Sequence, residues 1–130
     1  MNEAAWKWIR EEVVLAIHDE QIAEHGGLPG VREMALIQSA LARPRNAVAY
    51  GMPDAADLAA AYAYGLARNH PFQDGNKRTA FVVALVFLLS NGYELTVSDG
   101  ESVATIRALA AGELSEEALA KWLRANMRER

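Results

Sequence analysis

Between Asn69 and Thr79 the chain reads Asn-His-Pro-Phe-Gln-Asp-Gly-Asn-Lys-Arg-Thr. A turn needs Gly, Asn or Asp for its backbone angles, but it needs neither an imidazole nor two adjacent cations. An imidazole is the side chain suited to accept a proton near neutral pH, which makes His70 a candidate base for an attacking hydroxyl. Asp74 is a hard oxygen ligand, fitted to a magnesium ion that also touches nucleotide phosphates. Arg78 offers a planar fork for phosphate oxygens, with Lys77 as a point charge beside it. Gly75 and Asn76 would add backbone and side-chain donors. Together these groups suit phosphoryl or nucleotidyl transfer from a metal-bound nucleotide to a hydroxyl.

Taken singly, each residue has a plainer use. Asp74 would cap a helix, Gly75 and Asn76 would make the turn, His70 would be a satisfied loop histidine, and Lys77 and Arg78 would be a solvated face. The elements that flank them favour the joint reading. Pro71 biases His70 away from the right-handed helical region, so a helix before it stops at or just before His70. Ala80 to Leu89 (AFVVALVFLL) is apolar on nearly every face and predicts a central, buried helix. Lys77 and Arg78 then fall in its first turn, at the positive end of the helix dipole, where Asp or Glu is the stabilising choice. Free N–H groups, a permissive glycine and two cations at one helix start make a phosphate site in physical terms.

The rest of the chain must hold that stretch in place. At 130 residues it is expected to be one domain, 1–130, large enough for a single core. The net charge of -4 argues against a broad nucleic-acid surface, which needs a clustered positive footprint. Without cysteine there is neither a disulfide framework nor thiol chemistry. Met1-Asn2-Glu3 does not open a signal-peptide pattern, and the longest apolar run is too short to span a bilayer. A cytoplasmic protein without membrane contact is expected.

A first helix is predicted from about Glu3, capped by Asn2, to Glu24, with Trp6, Ile9, Val13, Ile17 and Ala16 or Gln21 near one face. His18 and His25 fall in its C-terminal half, favourable to the dipole, and receive no catalytic role. Gly26-Gly27-Leu28-Pro29-Gly30 ends it. A second helix should cover Arg32 to Leu41 and stop before Pro44. A third, alanine-rich, runs from Ala55 to Asn69 behind Asp54 or Asp57. Arg68, two residues before His70, is a candidate to help shape the site, with a surface charge at a helix C-terminus as the competing reading. After the central helix, about 76–90, Asn91-Gly92 is a stop. Tyr93 to Val97 should be extended, Ser98 should open a fifth helix to about Ala111, and Ser115 should cap a sixth, Glu116 to Met127. The expected fold is all-α, a compact six-helix domain around helix 76–90.

His-Pro-Phe-x-Asp-Gly-Asn-Lys-Arg resembles the signature of the Fic/Doc superfamily, and specifically its death-on-curing (Doc) toxin branch of type II toxin-antitoxin systems. Gly26 to Gly30, Ser39 to Pro44, Tyr64 to Arg68, Asn91-Gly92-Tyr93 and Gly112 to Ser115 resemble the same branch in the same order. The resemblance implies the Fic fold, with catalytic His70, Asp74, Lys77 and Arg78, and nucleotide phosphates on Gly75, Asn76, Lys77 and Arg78. It also implies magnesium on Asp74, and Pro71 and Phe72 as supports of the motif. Adenylyl-transferring Fic enzymes usually carry a glycine where this chain has Lys77, and an arginine where it has Phe81. A lysine fills the space that glycine leaves for the phosphates, so the nucleotide would bind reversed.

By resemblance, then, the γ-phosphate of ATP goes to a threonine of a translation factor, elongation factor Tu, and translation is arrested. The inhibitory Ser/Thr-x-x-x-Glu-Gly/Asn helix motif of self-inhibited relatives is missing, which implies inhibition in trans by a Phd-like antitoxin. Two alternatives stay open: a Fic-type nucleotidyltransferase that moves AMP to a protein hydroxyl, and a non-catalytic antitoxin-binding module.

Overall fold

A computed structural model of the protein describes residues 5–130. The described residues form six helices and a two-stranded ribbon, in the order α1 (Glu11–His25), α2 (Met34–Tyr50), α3 (Ala55–Asn69), α4 (Asn76–Ser90), β1 (Tyr93–Leu95), α5 (Asp99–Ala110), α6 (Glu116–Ala125) and β2 (Met127–Glu129). The fold is all-α, as expected. None of these helices is long and apolar enough to cross a membrane.

The centre is shared by α3 and α4. Every residue from Ala55 to Ala67 except Asp57 and Tyr64 is buried in α3. Alanine makes this possible, because small side chains let helices approach closely. Gly65 marks the tightest crossing: a Cβ there would sit 3.0 Å from both Ala40 Cβ and Arg43 Cδ of α2. Along α4, Ala80, Val83, Ala84, Phe87 and Leu88 face the core, while Phe81, Val82, Leu85 and Val86 are half-buried. Tyr62 and Trp6 both meet Phe87, at ring-centroid distances of 5.2 and 6.0 Å.

Several expectations need correction. The first helix begins at Glu11, not near Glu3, and Asn2 and Glu3 lie outside the described residues. Residues 7–10 are extended because side chains of other helices take their backbone groups. The Ile9 N–H donates to Tyr62 Oη at 3.0 Å, the Lys7 N–H donates to Asn91 Oδ1 at 3.0 Å, and Asn91 Nδ2 donates to the Lys7 carbonyl at 3.1 Å. The buried face of α1 is Val14, His18 and Gln21, so of the expected face Gln21 is buried while Val13 and Ile17 are half-buried.

The second helix does not stop before Pro44 but carries it inside, through to Tyr50. The hydrogen bond that proline cannot donate is offset by burial of Pro44 on the same face as Ile37 and Ala40, and by Ala47 and Val48 packing on the core one turn later. The last helix ends at Ala125, and Met127–Glu129 pairs antiparallel with Tyr93–Leu95. That pairing joins segments about thirty residues apart, so no local pattern announces it. A further correction concerns the side chain of Asn76 and belongs to the site.

Candidate active site

The site is the loop from His70 to Gly75 together with the first turn of α4. Two constraints shape its entrance. Pro71 bars His70 from the right-handed region, and His70 caps α3 in the left-handed one, at φ 49° and ψ 58°. A non-glycine residue there costs about 1 kcal/mol or more unless its surroundings hold it. Arg32 does so: its Nε donates to the His70 carbonyl at 2.8 Å and its Nη2 to the Asn69 carbonyl at 3.0 Å. The His70 imidazole is left exposed.

Phe72 and Asn76 fix the middle of the loop. The Phe72 N–H donates to Asn76 Oδ1 at 2.9 Å, and Asn76 Nδ2 donates back to the Phe72 carbonyl at 3.0 Å. Asn76 was expected to offer its side chain to a ligand; being buried and engaged at both ends with Phe72, it closes the loop instead. Its backbone N–H remains at the helix start. Phe72 is buried and stacks on the His18 ring, with centroids 3.7 Å apart and planes 5° from parallel. His18 Nε2 lies 2.8 Å from the Asp74 carbonyl oxygen. His18 thus sets the height of the loop from beneath.

The glycine-rich segment 26–30 packs against the loop. Val31 makes an antiparallel bridge with Phe72, the Arg32 N–H donates to the Pro71 carbonyl at 2.7 Å, and the Gln73 N–H donates to the Gly30 carbonyl at 3.1 Å. Gly27 is needed for this contact, since its φ is 118° and a Cβ would come within 2.7 Å of Asp74 Oδ2. The Asp74 carboxylate accepts the Leu28 N–H at 3.2 Å and the Gly75 N–H at 2.9 Å. Those two bonds, Leu28 first, hold its pKa below the ordinary carboxylate range, and the Arg78 charge adds to them. Asp74 is therefore a fully ionised group at the surface.

At the start of α4 the N-cap is Gly75, left-handed at φ 74°, and no side chain caps the helix. The first intrahelical-type bond is from the Thr79 N–H to the Gly75 carbonyl. No acidic residue lies in the first turn, so Lys77 and Arg78 stand exposed beside uncapped N–H groups. Arg78 Nη2 reaches only the Gly26 carbonyl, at 3.4 Å. Electrostatically this arrangement favours an anion.

One cavity of about 670 Å³ joins these groups. His70, Gln73, Asp74, Gly75, Asn76, Lys77 and Arg78 line it, and so do His25 at the end of α1 and Val103, Ile106 and Arg107 on α5. Its size is in the range of small-molecule sites. The sequence alone assigned no site role to His18, His25, Arg32 or Arg107. A histidine four residues after Val14, on a buried stripe, was the one local sign that His18 faces inward. Arg68 is not among the assembled groups: it stacks near Tyr64, 5.7 Å from the ring centroid, and lines a separate cavity with Arg43. That removes it from the set expected to shape the site.

Among the described residues no three His, Cys, Asp or Glu side chains converge to hold a metal. Magnesium does not need such a cage, since it takes most ligands from phosphates and water with one or two carboxylates. An exposed, ionised Asp74 beside the uncapped helix start fits that requirement.

The family model described as the Fic/DOC family matches residues 8–88, which include the whole of this loop. The chain is 38% identical over 117 residues to a protein of Escherichia phage P1 named "Protein kinase doc", covering 89% of this chain and 92% of that protein. It is 48% identical over 73 residues to "Toxin Doc" of Mycolicibacterium smegmatis, covering 54% of this chain and 55% of that protein.

Proposed function

The chain belongs to the Fic/DOC family, and from that premise we propose that it is a toxin of the Doc type. In this reading it is an ATP-dependent protein kinase that moves the γ-phosphate of ATP to a threonine hydroxyl. The observation that carries the reading is the pairing, in one cavity, of an exposed imidazole with an uncapped, doubly cationic helix start. The similarity to a relative named as a kinase and to one named as a toxin supports it.

His70 takes the proton of the attacking hydroxyl as oxygen bonds to the γ-phosphorus. The bond from that phosphorus to the β,γ-bridging oxygen breaks, and ADP leaves. Lys77, Arg78 and the N–H groups of Asn76 and Lys77 bind the phosphate oxygens and stabilise their charge. Asp74 would hold magnesium, which would supply positive charge to offset that of the phosphates. Pro71 and Phe72 keep the imidazole and the helix start in register, through the left-handed turn at His70 and the stack on His18.

We assign residues 1–130 to one domain of this kind, acting in the cytoplasm on a translation factor, with elongation factor Tu the expected target. A Phd-like antitoxin, another chain, would restrain it. The lysine at position 77 favours phosphoryl over AMP transfer, since it occupies space beside the helix start and adds charge there. Incubating the protein and a cell lysate with ATP labelled on either the α- or the γ-phosphate tests this. Label from the γ position alone, on a threonine identified by mass spectrometry, is the expected result. Label from the α position would establish AMP transfer instead, and label from neither would leave a binding module.

A further inference from the structure

The cavity has a second wall that the motif does not supply. Val103, Ile106 and Arg107 belong to α5, which follows α4 only after β1. At spacings of three and four residues they lie on one face of that helix. Val103 is half exposed, at 51%, and the Arg107 side chain is exposed. The protein is acidic overall, at -4, yet this cavity holds Lys77, Arg78 and Arg107 against the single carboxylate of Asp74.

The partners of these cations separate them from other arginines of the chain. Arg10, Arg43, Arg124 and Arg128 each bond a carboxylate. Arg107 has no ion-pair or hydrogen-bond partner for its guanidinium among the described residues, and Lys77 has none either. Unpaired like charges that line one cavity repel one another, and an anion spanning them removes that cost. The N–H groups, Lys77 and Arg78 cluster at the start of α4 and can satisfy one end of a polyphosphate. Arg107 reaches the cavity from α5 and is placed for the other.

We infer that Arg107 is a specificity-determining residue of the cleft, a phosphate-binding fork that makes it select nucleoside triphosphates over diphosphates. The inference rests on the phosphoryl-transfer reading for its ligand and goes beyond it in the residue and the discrimination. The guanidinium pairs with phosphate oxygens two at a time, which a lysine ammonium does not.

A competing role exists. Arg107 lies in the last turn of α5, where any cation is favourable to the helix dipole. Arg107→Lys keeps that charge and loses the fork, so the two roles separate. The test is calorimetric titration of the full chain, and of Arg107→Ala and Arg107→Lys, with magnesium-ATP and magnesium-ADP. Arg107→Ala should weaken ATP about 10- to 100-fold, the effect of one lost charge-assisted contact, and weaken ADP far less. Arg107→Lys should recover part of the ATP affinity while melting with the parent chain.

Unchanged ATP affinity in Arg107→Ala, or equal losses for ATP and ADP, would overturn the inference and leave the kinase reading untouched. An ATP preference that depends on Arg107, in a chain that transfers no γ-phosphate to protein, would do the reverse.

Discussion

Two helices of this protein begin in opposite ways. At α3 the N-cap is Asp54, which accepts the Asp57 N–H at 2.9 Å while Asp57 accepts the Asp54 N–H at 3.0 Å, a reciprocal cap. Arg124 bonds both carboxylates from α6. The positive end of that dipole is thereby matched by acid, which is what stability asks for. At α4 the cap is a glycine, the first turn holds no acid, and two cations stand where acids belong. The first start is complete within the chain. The second is left without an acid of its own in the first turn, and such a departure from local rules is where function is expected.

That contrast can be broken in several ways, and the largest effect lies in the chemistry. His70→Ala should lower phosphate transfer about 10²- to 10⁴-fold, the usual contribution of a general base. Its imidazole is exposed, so the melting temperature should not fall. Single-turnover assays beside a thermal melt check both halves.

The next effect sets the two starts against each other directly. Lys77→Glu gives α4 the acid that α3 already has, so it should stabilise the unliganded chain by about 0.3–1 kcal/mol. The same change should abolish ATP binding. Denaturant unfolding and calorimetry on one preparation show whether stability and binding move in opposite directions.

At α3 the same logic predicts loss. Asp54→Ala removes the cap and leaves Arg124 with Asp57 alone, and should cost about 1 kcal/mol of unfolding free energy with ATP affinity unchanged. The smallest effect is that of acid. The Arg124 hydrogen bonds hold Asp54 at about 2, below the ordinary 3.8. A carboxylate depressed in the folded state stabilises above its unfolded value, and that contribution disappears as pH falls through the folded one. Stability should therefore decline between about pH 4 and pH 2. Asp54→Asn should flatten that part of the profile.

How legible the molecule was follows from the range of the interactions. The caps at Asp54, Ser98 and Ser115 and the stop at Asn91-Gly92 act within a few residues, and each stands where the sequence places it. The break at Pro71 and the cationic start of α4 are equally local. What escaped the sequence depends on distant partners. Residues 7–10 are extended because of Tyr62 and Asn91, more than fifty residues away. The left-handed turn at His70 leans on Arg32, and the Asp74 loop leans on His18. Arg107 reaches the cavity only through the packing of α5 on α4. Arg68 is the reverse case: near His70 in sequence, it turns to Tyr64 and another cleft.

The central claim is that the start of α4 is a receptor for a polyphosphate. A thermal melt of the parent chain and of Lys77→Glu, each with and without magnesium-ATP, tests it most directly. Saturating ATP should raise the melting temperature of the parent, the equivalent of about 2.7 kcal/mol at a hundredfold excess over the dissociation constant, and leave Lys77→Glu where it was. A parent chain indifferent to ATP, or a Lys77→Glu chain that responds as strongly as the parent, would contradict the account.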